Sequence, residues 1–244
     1  MKFGYLSDIG EITPDIFSNL DSVSRLKTFI KLYNSCVEQE LKLPLHYSKY
    51  KNIKNAFKHR IQDLLEFDSN LKKTKVKTFC AVSNLIIFYY KNKQFDNIKY
   101  ITKQPKNKAA KMIKMLYINS HFELCFDANF MFSQFVYDRI AYKNFDKDVS
   151  FQNDSICICK DSKKLLCVLT SFKNFSLDDT SSLSNEISSA VKAIKEYGFD
   201  RVYVVMPRND NFRKHIEVRH CECDFNQIKL VPYAIDNKKT KKGI

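Results

Sequence analysis

Apolar residues return every third or fourth position along the first half of the chain. Between Ile16 and Leu41 the positions Ile16, Leu20, Val23, Leu26, Ile30, Tyr33 and Val37 make one stripe, which predicts an amphipathic helix. Asp15, after Pro14, is its expected N-cap. A second helix is expected from Ser48 to Phe67 on Tyr50, Ile53, Phe57, Ile61 and Leu64, with Lys49, Lys51, Lys58 and Arg60 opposite. A third, Val76–Lys91, is apolar on most sides and so should be central. A short segment, Asn97–Gln104, ends at Pro105, and a further helix is expected from Lys106 to Ile118. Phe122–Tyr142 is rich in aromatic and β-branched residues and predicts the strands of a hairpin.

Beyond residue 150 the period changes. Ser155–Lys160 alternates as a strand, Asp161-Ser162 is a turn, and Leu165–Phe172 is a second strand. Leu183–Tyr197 is a helix with Gly198 at its C-terminal cap. Arg201–Met206 is an apolar strand stopped by Pro207, Asn211–His220 is helical or irregular, and Ile228–Ile235 is a last strand. This β-β-α-β-α-β order predicts an α/β domain with parallel pairing after the helix. The expected organisation is α+β or α/β: a helical region over 1–148, a small α/β domain over 149–236, and a basic tail over 237–244.

Charge sharpens this picture. The chain of 244 residues carries a net +14, and residues 41–120 alone carry +14, the flanking segments nearly cancelling. A polyanionic partner is expected at that middle segment. With 34 lysines, 7 arginines and no tryptophan, part of the lysine content reflects an AT-rich coding bias. The four glycines, Gly4, Gly10, Gly198 and Gly243, never stand at GxGxxG or GxxxxGK[ST] spacing. Dinucleotide and Walker A phosphate loops are thereby excluded, because both need bare backbone at the phosphates. The longest apolar run is six residues, Leu85–Tyr90, against the ~20 a spanning helix needs. A cytoplasmic chain with no membrane partner is expected, its eight cysteines as thiols rather than disulfides.

Residues 76–118 followed by a hairpin at 122–136 resemble a winged helix-turn-helix. In such a unit the helix after the turn enters the major groove. The resemblance implies phosphate contacts from Lys103, Lys106, Lys108, Lys111 and Lys114, with Asn107 reading a base edge. Tyr47, Tyr50 and Phe57 among lysines are candidates for stacking on bases, or for core. Arg208 and Arg213, with Arg219 nearby, form a second basic cluster whose guanidinium forks suit phosphate.

The C-terminal layout resembles the PD-(D/E)XK nuclease-like superfamily. The stretch that carries the likeness is Asp154-Ser-Ile-Cys-Ile-Cys159, then Leu166 to Lys173 ending Ser171-Phe172-Lys173, then the helix bearing Glu186. The resemblance implies that Asp154 is the first acid and a Mg²⁺ ligand, that Lys173 is the motif lysine, and that Glu186 is an additional acid. Ser171 stands where the family has a carboxylate. Either Glu186 takes over that role or the domain is a degenerate nuclease. The likeness points to restriction, defence or mobile-element biology and to DNA as the favoured nucleic acid. A non-enzymatic adaptor, binding nucleic acid nonspecifically and a protein partner through the α/β domain, is the alternative, and a homodimer fits either. The pairs Cys157/Cys159 and Cys221/Cys223, with His220, have Cys-x-Cys rather than zinc-knuckle spacing, so Zn²⁺ is not expected.

Overall fold

The computed structural model describes residues 1–71, 80–152, 155–176 and 181–235. Asp154 and the basic tail 237–244 lie outside the described residues. Among the described residues the protein is mixed α and β, with two sheets, and the chain divides into two compact units, Met1–Asp127 and Ala128–Ile244. Among the described residues no helix is long and apolar enough to cross a membrane.

Unit 1 begins with β1 (Lys2–Leu6) and β2 (Gly10–Ile12), followed by helix α1 (Ser22–Cys36). That helix starts six residues later than the apolar stripe suggests. Asp21, not Asp15, is its cap, accepting from the amides of Val23 (2.9 Å) and Ser24 (3.0 Å), while Asp15 opens only a 3-10 turn. The next helix, α2 (Ile53–Leu71), is delayed because Lys51 takes a left-handed φ of 66° after a 3-10 segment at Leu45–Tyr50. Then come α3 (Ala81–Lys91), α4 (Lys108–Tyr117) and β3 (Leu124–Asp127). β1 is central in an antiparallel sheet, β2-β1-β3, so the first and last strands of the unit are neighbours. Phe3, Phe29, Tyr33 and Phe57 form the aromatic core under it, in edge-to-face and stacked contacts 5.0–5.9 Å apart.

Three expectations for this unit fail. The third helix is peripheral: Leu85 and Phe88 are 42% and 55% exposed, and only Ser83 and Ile86 are buried. Residues 98–107 are not helical, so the short helix of a helix-turn-helix is missing; only Phe95–Asn97 makes a 3-10 turn. The hairpin at 122–136 is also missing, because β3 pairs with β1 and the chain then enters a helix.

That helix, α5 (Ala128–Lys143), opens unit 2 and is followed by β4 (Asp148–Gln152), β5 (Ser155–Lys160) and β6 (Lys163–Thr170). The three strands form an antiparallel meander. Asp161 and Ser162, both at positive φ (51° and 64°), make the two-residue turn between β5 and β6, whose twist suits a hairpin. Helix α6 (Ser184–Lys195) then crosses over, with Gly198 (φ 69°) in the turn beyond it, to β7 (Arg201–Pro207), parallel to β6. β8 (Ile216–Val218) replaces the expected second helix, and β9 (Ile228–Tyr233) inserts between β7 and β8. The sheet order is β4-β5-β6-β7-β9-β8. The unit therefore reads α-β-β-β-α-β and then two more strands, with one more helix and one more strand at its start than the sequence pattern suggests.

Alternation along the strands gives each face a helix. Cys167, Val202, Val204, Ile228 and Leu230 pack with Ala190 and Val191 of α6. On the opposite face Phe132 of α5 meets Phe172 and Tyr233 at 5.6 and 6.3 Å.

Candidate functional site

The chemistry-bearing groups of unit 2 gather where β6 ends. Ser171 prolongs the parallel pairing, its amide donating to the carbonyl of Val205 at 2.9 Å. Asn129, near the start of α5, holds the next peptide through its side-chain oxygen, which accepts from the Phe172 amide at 3.0 Å. With the backbone fixed on both sides, Lys173 leaves the sheet beyond the carboxyl end of β6, the end of a parallel strand where ligands usually sit.

Glu186, in the first turn of α6, comes down onto this point. The Ser171 hydroxyl donates to its Oε1 at 2.8 Å, and the Lys173 ammonium pairs with the same oxygen at 2.6 Å. Lys173 also donates to the Ser182 carbonyl at 3.1 Å. Oε2 of Glu186 is buried and has no hydrogen-bond partner among the described residues. Burial pushes the Glu186 carboxyl up, but the hydrogen bonds from Lys173 and Ser171 outweigh it and hold it below its ordinary range. The carboxylate is thus ionised, anchored through one oxygen and unsatisfied at the other. A buried acceptor left unpaired is costly, and a water, ligand or ion that donates to it or binds it relieves that cost.

Glu186 also borders a cavity of about 650 Å³ between α6 and the sheet, lined by Asn185, Ser189, Cys157, Cys167 and Leu169. Cys157 and Cys167 face each other across β5 and β6, and burial pushes the Cys167 thiol up to about 11. Among the described residues no three His, Cys, Asp or Glu side chains converge as a metal-ligand set. Beyond the end of β7, Asn209 ties the neighbouring loop to the Lys173 loop by donating to the Phe175 carbonyl and to Asn174, both at 2.8 Å. Arg208 is exposed at that same carboxyl edge of the parallel strands. Arg213 is exposed and pairs with Asp210.

The basic residues of unit 1 divide. Lys103, Lys106 and Lys108 are exposed. Lys111 is engaged by Glu40, and Lys114 donates to the carbonyls of Thr102 (3.2 Å) and Lys103 (3.0 Å). Asn107 is the N-cap of α4, its oxygen accepting from the Ala110 amide at 3.0 Å, so that oxygen is spent on the helix rather than held ready for a base. Tyr47 and Phe57 are buried, and Tyr50 stacks on His59 at 3.8 Å, so this trio offers no open stacking platform. Asn129 was not a candidate from sequence; it lies in a segment whose composition suggests a strand.

Comparisons with family models, curated proteins and solved structures returned no match.

Proposed function

We propose that unit 2 is a PD-(D/E)XK-like nuclease module in which Glu186 supplies the carboxylate missing at Ser171, and that the chain binds nucleic acid, DNA foremost. One observation carries the reading: Glu186 is fastened by Ser171 and Lys173 through Oε1 while buried Oε2 has no partner among the described residues. The α-β-β-β-α-β order, with its crossover helix between parallel strands, supports it. So does the position of the cluster at a strand's carboxyl end.

An oxygen-rich site of this kind suits Mg²⁺, and the open Oε2 of Glu186 is a fitting donor. Asp154, outside the described residues, is the second donor in this reading. Bound there, such an ion would supply Lewis acidity at a phosphodiester and lower the pKa of a water. Lys173 places a positive charge where negative charge develops on phosphate. Ser171 keeps Glu186 oriented, a role its hydroxyl fills by donating a hydrogen bond. Arg208 and Arg213, with the exposed Lys103, Lys106 and Lys108, contribute phosphate contacts whose strength falls with salt.

The test is cleavage of plasmid and oligonucleotide DNA and RNA by the full chain with Mg²⁺ or Mn²⁺. Glu186→Gln and Lys173→Ala are each expected to lower the rate by about 10²-fold or more. Ser171→Asp placed in the Glu186→Gln background should restore part of it. Cleavage that survives both single substitutions, or no cleavage of any substrate, removes the nuclease reading; binding without cleavage then leaves the adaptor.

A further inference from the structure

Unit 1 holds a cleft of about 880 Å³ that neither the sequence pattern nor the proposed cleavage accounts for. We propose that it binds a phosphorylated nucleobase: the base against an aromatic wall, the phosphate between lysines. The inference stands on unit 1 alone and is independent of metal-dependent chemistry in unit 2.

The wall is built from the end of α3, the turn after it and the end of α4. Tyr90 and Phe95 are half-buried, with Tyr117 and Phe122 buried behind them. Phe95 stacks on Tyr117 with centroids 4.6 Å apart and planes 22° from parallel. Tyr90 meets Tyr117 edge-on at 5.4 Å, and Tyr117 meets Phe122 at 6.0 Å. Burial pushes the Tyr90 hydroxyl up, and the Tyr117 hydroxyl up further. Both phenols are therefore neutral, and the wall carries no charge that repels an anion. The rings brace one another, so little conformational freedom is left to lose when a planar ligand lands on them.

The rim has the opposite character. Lys54 and Lys58, one turn apart on α2, and Lys91 and Lys93, at and just beyond the end of α3, all line the cleft, against one lining carboxylate, Glu66. Lys58, Lys91 and Lys93 are exposed and make no ion pair among the described residues. Lys54 is already posed: its ammonium lies 4.9 Å from the centre of the Tyr5 ring and donates to the Tyr5 hydroxyl at 3.2 Å. Four lysines around a neutral aromatic floor match a ligand that is planar and apolar at one end and anionic at the other. The cleft volume lies within the roughly 300–1,000 Å³ of small-molecule sites. Charge complementarity selects against a neutral or cationic ligand, and the stacked floor against a bare anion. A free nucleotide and an unpaired nucleotide of a strand present the same chemistry.

Full-chain protein is titrated with two probes: ATP followed by calorimetry, and a fluorescein-labelled twelve-nucleotide single strand followed by anisotropy. Duplex DNA of the same length and a Glu-rich peptide containing Phe serve as competitors. Phe95→Leu keeps the apolar volume and removes the ring; it should weaken the preferred probe about tenfold, equivalent to about 1.4 kcal/mol. Lys58→Gln with Lys93→Gln should weaken it further and, for the strand, reduce the salt slope by about 1.4. Unchanged melting temperatures confirm that both variants fold. Tight ATP with a weak strand assigns the cleft to free nucleotides, and the reverse assigns it to unpaired strands. Binding of neither probe, equal competition by duplex, preference for the peptide, or indifference to Phe95→Leu overturns the proposal. The proposed cleavage in unit 2 is read separately, since Phe95→Leu leaves the Glu186 cluster untouched.

Discussion

Gly4 stands at the centre of β1, paired with Ile12 on one side and Cys125 on the other. Its φ is +154°, and a Cβ built there would fall 2.0 Å from the Leu124 carbonyl oxygen and 2.6 Å from the Cys125 Cα. Both obstacles are backbone of β3 and cannot swing away as a side chain could. For Gly4→Ala two penalties therefore combine: about 1–3 kcal/mol for holding a non-glycine residue in that region, and a further ~1–3 kcal/mol for overpacking, since β3 must move. A loss near 4 kcal/mol is a large share of the ~5–15 kcal/mol that holds a domain together. It corresponds to a melting shift on the order of 10–15 °C for a unit of this size. Gly10→Ala is the control. Its φ is +91° but nothing lies within 4 Å of a Cβ there, so only the backbone penalty applies. Calorimetry gives both shifts, and amide exchange of β1 and β3 assigns the transition to unit 1. Equal melting of the two variants would refute the clash, and a Gly4→Ala shift below about 2 °C would refute the reasoning as a whole.

Ser83, 2% exposed, accepts from the amides of Lys106 and Asn107 at 3.0 and 3.1 Å, so Ser83→Ala should cost about 1–3 kcal/mol in chemical denaturation and loosen the approach to α4; an unchanged midpoint contradicts this. Glu186 has a carboxyl held below its ordinary value of 4.5, so its contribution to stability is full above that value and is lost as pH falls through the lower folded value. The stability gap between the native chain and Glu186→Gln should accordingly be flat from neutral pH to about 5 and close in more acid solution; a gap that widens on acidification reverses the sign and rejects the ion pair. Cys80, whose thiol is lowered to about 7 by hydrogen bonds from the Ser83 hydroxyl and nearby amides, should be alkylated by iodoacetamide ahead of exposed Cys221, with buried Cys167 last. Mass spectrometry of peptides orders the three, and Cys221 reacting first would count against it.

Much of unit 2 is readable from alternation and turn chemistry. Ser155–Lys160 is a strand with the expected bounds, Asp161-Ser162 is the turn, and Gly198 closes α6. The parallel partner of β6 follows from the intervening helix. α5 departs from the strand expectation for a specific reason. Phe, Tyr and Val favour strands by propensity, yet its buried residues Ala128, Met131, Phe132, Phe135 and Val136 recur at helical spacing, so period was the better guide. α3 departs in the other direction: its apolar residues suggest burial, but nothing in composition says which face meets the unit. Of the site, Lys173 and Glu186 were legible as chemistry. Their convergence on one oxygen, with Ser171 as a hydrogen-bond donor, depends on how far α6 descends over the sheet. The N-cap role of Asn107 was not legible beside the base-reading one, because both draw on the same side-chain amide. The aromatic cleft was illegible, since its walls come from four separated elements.

The pairing of β1 with β3 also bears on how unit 1 assembles. Tyr5 lies opposite Leu124 and Lys2 opposite Asp127, so the ladder closes a loop of about 120 residues, at an entropic cost of roughly 4 kcal/mol. Helical contacts such as α3 with α4 span far less chain and can form before that cost is met. The small sheet is then expected to form after the helical contacts of unit 1. A chain severed anywhere between the helices and Leu124 leaves β1 an unprotected edge, whereas a cut just past Asp127 spares it. In that sense three short strands work as the clasp of a helical unit, and proteolysis rates at the two borders should differ accordingly.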